Sequence, residues 1–62
     1  MEERKALKRI FPFGKHKGEY IGDVIMEDQK YLLWLIDEDW FEKNYPTLFE
    51  ATTFILKNEN LI

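Results

Sequence analysis

The residues best placed to do chemistry lie in one short segment, Gly14-Lys15-His16-Lys17-Gly18. In an extended loop, Lys15 and Lys17 alternate with His16 and so project to one side. Backbone amides freed by the two glycines would meet a phosphate beside them. The segment is not a Walker loop, because no Gly-Lys-Ser/Thr opens a helix there. A plainer reading stands beside this one: a glycine-bracketed hairpin turn whose lysines keep an edge strand soluble. Both displays put Lys15, His16 and Lys17 outward, because glycine tolerates the positive φ that a tight reversal needs.

Catalysis finds little material elsewhere. The chain has one histidine, no cysteine and no serine, which excludes a Cys–His pair and a two-histidine metal site. Thr47 reads as a helix cap, and Thr52 and Thr53 as positions on a helix surface. Asp37-Glu38-Asp39 is an acidic run at a helix end, of the kind that is normally solvated rather than metal-bound. The expectation is a chain that is not an enzyme, with no metal site and no cofactor.

Two tryptophans offer flat faces on which a base could stack. Trp34 sits in the apolar run Tyr31–Ile36 and is expected in the core, as is Tyr31. Trp40 is ringed by acids that would repel a phosphate backbone, so it suits a protein contact, with Phe41 and Tyr45 as further aromatic anchors.

The elements that would position these residues follow from local signals. Arg4 to Ile10 could begin a short helix; alternatively, residues 1–9 form a flexible basic segment. Ile10-Phe11-Pro12-Phe13 reads as an edge strand, since Pro12 lacks a donor and drives Phe11 extended. It pairs with Glu19-Tyr20-Ile21-Gly22 into a β-hairpin. Asp23 caps one turn through Val24, Ile25 and Met26, and a helix starts near Asp28 and ends before the acidic run. Trp40–Tyr45 reads as a connector or short turn. Thr47-Leu48-Phe49-Glu50 is a capping-box pattern opening a last helix to about Lys57, with Asn58 or Asn60 to end it. The fold class is therefore α+β, one small domain over 1–62, with an N-terminal β-hairpin packed against two to three short α-helices.

Composition agrees with a single folded unit. Of 62 residues 45% are hydrophobic and ten are aromatic, which is too apolar for disorder. With no disulfide or thiolate metal site, the aromatics must hold so small a domain together. Charge is uneven: residues 1–18 hold six Lys/Arg against Glu2 and Glu3, while 19–62 hold three lysines against ten acids. That asymmetry suggests a basic contact surface and an acidic remainder. No signal segment is visible and no apolar run approaches the about 20 residues of a membrane helix. A cytoplasmic protein with no membrane partner is expected.

Phe11-Pro12-Phe13-Gly14-Lys15-His16-Lys17-Gly18, followed by Ile21, Asp23, Val24 and Tyr31-Leu32-x-Trp34-Leu35, carries a resemblance to a known family. The stretch is similar to the C-terminal domain of exodeoxyribonuclease X-like proteins and to related small bacterial and phage proteins. The similarity covers about residues 10–36 closely and the last helix only loosely. It implies a hairpin-plus-helices module often appended to a 3′–5′ exonuclease, whose catalytic carboxylates lie in the other domain. It also implies that Lys15, His16 and Lys17 touch nucleic acid. With Lys8 and Arg9 neutralising nearby phosphates, the leading expectation is a non-catalytic module that binds DNA or RNA. The alternative is a protein-interaction module, for example a phage or mobile-element factor. It would use Trp40, Phe41 and Tyr45 to dock on a nuclease or a replication or repair enzyme.

Overall fold

In the computed structural model, which describes residues 3–62, the chain is all-α: α1 Glu3–Leu7, α2 Ile21–Glu27, α3 Gln29–Leu35, α4 Asp39–Asn44 and α5 Pro46–Asn58. Four of the five are a turn or two long. Helices so short are not stable alone, and their stability comes from the apolar face each one buries.

The expected β-hairpin, and with it the α+β class, is overturned. Among the described residues the only β-pairing is a single antiparallel bridge, Ile10 to Tyr20. The Phe11 amide donates to the Glu19 carbonyl at 3.0 Å, and the Phe11 carbonyl accepts from Gly18 at 2.8 Å. Pro12, next along, has no N–H to continue the ladder. The facing segment closes on itself instead: the Lys17 amide donates to Gly14 and the Glu19 amide to His16. On the other side of the bridge α2 begins at once, at Ile21. Local alternation survives without a strand, for Phe11 is fully buried, Pro12 exposed and Phe13 partly buried against the core.

α5 is the spine, packing on α1 and α4, while α2 joins α1 to α3. Its buried residues are Leu48, Ala51, Thr52, Ile55 and Leu56, the i, i+3, i+4, i+7, i+8 stripe of a helix with one apolar face. Thr52 is therefore not a surface position; its hydroxyl donates to the Leu48 carbonyl at 2.8 Å, which satisfies it inside the core. Nor does Thr47 cap α5. Pro46 occupies the first turn and no side chain caps the end, because a fixed φ and a missing N–H suit that position. The far end closes on Asn60 at φ 58. Amides of Asn60 and Leu61 donate to the carbonyls of Lys57 and Leu56, the two-bond helix stop that a left-handed residue allows. The stretch read as a connector, Trp40–Tyr45, lies largely in α4, with Asp39 and Glu42 in the first turn and Lys43 in the last, each sign favoured by the helix dipole.

Aromatic rings join the loop to the helices. The Phe13 ring lies 5.4 Å from Trp40, 5.9 Å from Phe41 and 4.7 Å from Tyr45. Phe11 meets Tyr31 at 6.2 Å, and Phe41 meets Phe49 at 5.9 Å. No helix among the described residues is long and apolar enough to cross a membrane.

Candidate nucleic-acid interface

The loop between Ile10 and Tyr20 is shaped by its glycines. Gly14 and Gly18 have φ of 74° and 88°, values that a side chain resists. A Cβ on Gly14 would stand 2.6 Å from Tyr31 Oη, so the loop backbone at Gly14 is seated against the hydroxyl end of that side chain.

His16 does not face outward as expected. It is buried, with 8% of its surface exposed, and both ring nitrogens are engaged. Nδ1 lies 2.9 Å from Glu19 Oε2 and Nε2 lies 3.2 Å from Asp28 Oδ2. The ring also meets Tyr31 edge-on at 4.9 Å. Burial works against the imidazolium, but the hydrogen bonds and charges of Glu19 and Asp28 outweigh it and raise the His16 pKa. Both carboxylates move the other way. His16 holds Glu19 below its ordinary value, and Lys15, then His16, hold Asp28 below its own. Glu27 is raised because the Glu19 carboxylate faces it. His16 thus acts as a clamp that ties the loop to the start of α3, with its ring turned in toward Glu19 and Asp28 rather than displayed outward.

Pulling His16 inward leaves its two neighbours outside. Lys15 bridges to Asp28 at 2.7 Å and sets its ammonium 5.3 Å from the centre of the Tyr31 ring, yet most of its side chain is in solvent. Lys17 is exposed and makes no ion pair with any described side chain. Lys8 and Arg9 are exposed as well. The Ile21 amide donates to the Arg9 carbonyl at 2.8 Å, so this basic stretch enters the base of the same loop.

The aromatic expectations divide differently from the sequence reading. Trp34 is 52% exposed, not core. Leu32 and Leu35 take the buried face of α3, and Trp34, two residues beyond Leu32, falls about 200° round the helix. Tyr31 is only partly buried. Phe41 is fully buried, which removes it as a surface anchor, while Tyr45 is partly buried and Trp40 packs on Phe13 and Phe41. A metal could be offered three ligand atoms, from His16, Glu19 and Glu27, all within 4.8 Å of one another.

Residues 11–39 match the family described as Exodeoxyribonuclease X-like C-terminal. This is the family that the loop and the Tyr31–Leu35 run resemble. The matched segment holds the whole loop, α2, α3 and every member of the clamp, whereas Lys8, Arg9, Trp40, Phe41 and Tyr45 fall outside it. No curated protein and no solved structure matches the chain.

Proposed function

We propose that this chain is a non-catalytic accessory module of the exonuclease-associated kind, and that it binds the phosphate backbone of nucleic acid at the Gly14–Gly18 loop. The observation that carries this reading is the placement of Lys17. It stands exposed and unpaired with any described side chain on a loop held in one shape by His16. A preset loop loses little entropy on binding, and an ammonium without an acid partner is free to replace a counterion. Lys15, Lys8 and Arg9 add to the same surface, Lys15 by exchanging Asp28 for a phosphate. The ten acids of residues 19–62 set an upper limit on affinity and make binding weak, independent of sequence and dependent on salt.

The test is a titration of labelled single- and double-stranded DNA at about 50 and 200 mM salt, where each lost phosphate contact should lower the salt slope by about 0.7–0.9. Lys17→Ala should weaken binding and reduce that slope, and Lys15→Ala/Lys17→Ala should do so further. Absence of binding at the lower salt refutes the proposal.

Docking on a protein is a second reading, favoured by one feature. Met26, 87% exposed, borders a groove of about 300 Å³ that is also lined by Ile25, Gln29, Glu59 and Leu61. Met26→Lys should abolish such docking and leave any DNA binding intact.

A further inference from the structure

Trp34 is one of the two tryptophans, the largest side chains of the molecule, and half of it faces water. α3 does not need it for packing, since Leu32 and Leu35 already fill the core side. One face is supported from below: the Tyr31 ring lies 5.9 Å away and is tilted by 34°. Tyr31 in turn carries the Lys15 ammonium over its own ring. Lys30, one helical turn before Trp34, is exposed and forms no ion pair with a described side chain. A flat apolar surface with cations beside it matches a planar π-system attached to an anion.

We propose that Trp34, backed by Tyr31 and accompanied by Lys15 and Lys30, is a stacking site for one unpaired base of a single-stranded nucleic acid. This rests on the reading of the loop as a phosphate contact and adds to it a base contact and a strand preference. In a duplex both faces of each base are already stacked, so only a single strand can offer one. An apolar peptide would want an apolar rim, whereas helical spacing sets Lys30 one turn before Trp34 and Lys15 stands over the Tyr31 ring that backs it. Asp37, one turn beyond Trp34, repels phosphate and so directs the strand toward Lys30 and the loop.

The test compares a labelled oligo-dT with an abasic oligomer of the same length, which keeps the phosphates and lacks the bases. Trp34→Ala should weaken dT binding by about five- to 150-fold and leave abasic binding and the salt slope unchanged. Trp34→Phe, which keeps a ring, should retain most of the affinity. The difference in tryptophan emission between wild type and Trp34→Phe reports Trp34 itself. That signal should be quenched by dT and untouched by the abasic strand, a readout that does not require Trp34→Ala to fold. Equal binding of dT by wild type and Trp34→Ala, an equal loss for dT and the abasic strand, or no quenching, each overturns the stacking site. If Lys17→Ala still weakens binding in those cases, the phosphate contact survives alone. Failure of wild type to bind either strand overturns both.

Discussion

Adding one methyl group at Gly14 tests how the loop is seated. In Gly14→Ala the new Cβ meets two costs. A side chain at φ 74° costs about 1–2 kcal/mol. Its approach to 2.6 Å from Tyr31 Oη forces a ring held by its neighbours to move, and overpacking of this kind costs about 1–3 kcal/mol. The sum, about 2–5 kcal/mol, is a large part of the about 3–9 kcal/mol expected for a domain of this size. The two costs can be separated. Tyr31→Phe deletes the hydroxyl, after which the nearest remaining ring atom is Cζ at 3.8 Å, an ordinary contact. In that background Gly14→Ala should cost only the backbone term, about 1–2 kcal/mol. Urea melts of the four proteins measure the difference. With a slope near 1 kcal/mol per molar urea, the midpoint loss caused by Gly14→Ala should shrink by about 1–3 M when Tyr31 is Phe. Equal losses in both backgrounds would mean that the loop does not lie on Tyr31, and the placement of Lys15 over that ring would fall with it.

The clamp makes stability depend on pH with a definite sign. His16 is raised above its ordinary 6.5, so its stabilisation is complete below that value and is lost as pH rises through the folded value. Glu19 and Asp28 are lowered, so theirs is present above the ordinary carboxylate range and is lost as pH falls through their folded values. Melting temperature should therefore peak at weakly acidic pH, and His16→Gln should remove the decline on the alkaline side; an unchanged profile would contradict the clamp. Glu27→Gln should raise the melting temperature at neutral pH by ending the opposition to Glu19, whereas Glu19→Gln should lower it. Phe41→Ala should cost about 3–5 kcal/mol, read as a large fall in the melting transition followed by circular dichroism, because the Phe41 side chain is fully buried in the core. Asn60→Gly should keep the stability of wild type while Asn60→Ala loses about 1 kcal/mol, since only the left-handed conformation closes α5.

Periodicity made α5 legible because a stripe of Leu48, Ala51, Ile55 and Leu56 has one reading at helical spacing and the chain then reaches an asparagine able to turn left-handed. The start of α3 after Asp28 was legible for a similar reason, acids before a leucine-rich run. The hairpin is not legible because alternation over Phe11, Pro12 and Phe13 is a local property, whereas a strand needs a partner with free donors. Pro12 supplies none, and Gly14–Glu19 spends its amides on its own turns. α4 is not legible because six residues with one fully buried side chain, Phe41, carry too little pattern to be read without the core they pack on.

The site shows the same limit in a sharper form. Spacing in an extended loop puts Lys15 and Lys17 on one side; in the structure the segment is a series of turns in which both lysines are exposed, and Lys15 and His16 meet the same Asp28 oxygen. What spacing cannot supply is which side is inner, and here Glu19 and Asp28 decide, twelve residues apart in one case and invisible as partners in the sequence. A histidine with a carboxylate on each nitrogen gains more from burial as a cation than it loses in hydration, so the loop turns it inward and sends the lysines out. At Trp34 the logic runs in reverse. An apolar run invites the largest ring into the core, but α3 has one buried face and Leu32 and Leu35, three apart, occupy it. Of the two residues between them, Leu33 is partly buried against the core and Trp34 is left half in water. Both inversions place groups suited to nucleic acid on the outside, cations on the loop and a flat ring on α3. They do so through packing that secures the fold, so the variants at Lys17 and Trp34 can test binding without dismantling what holds the domain together.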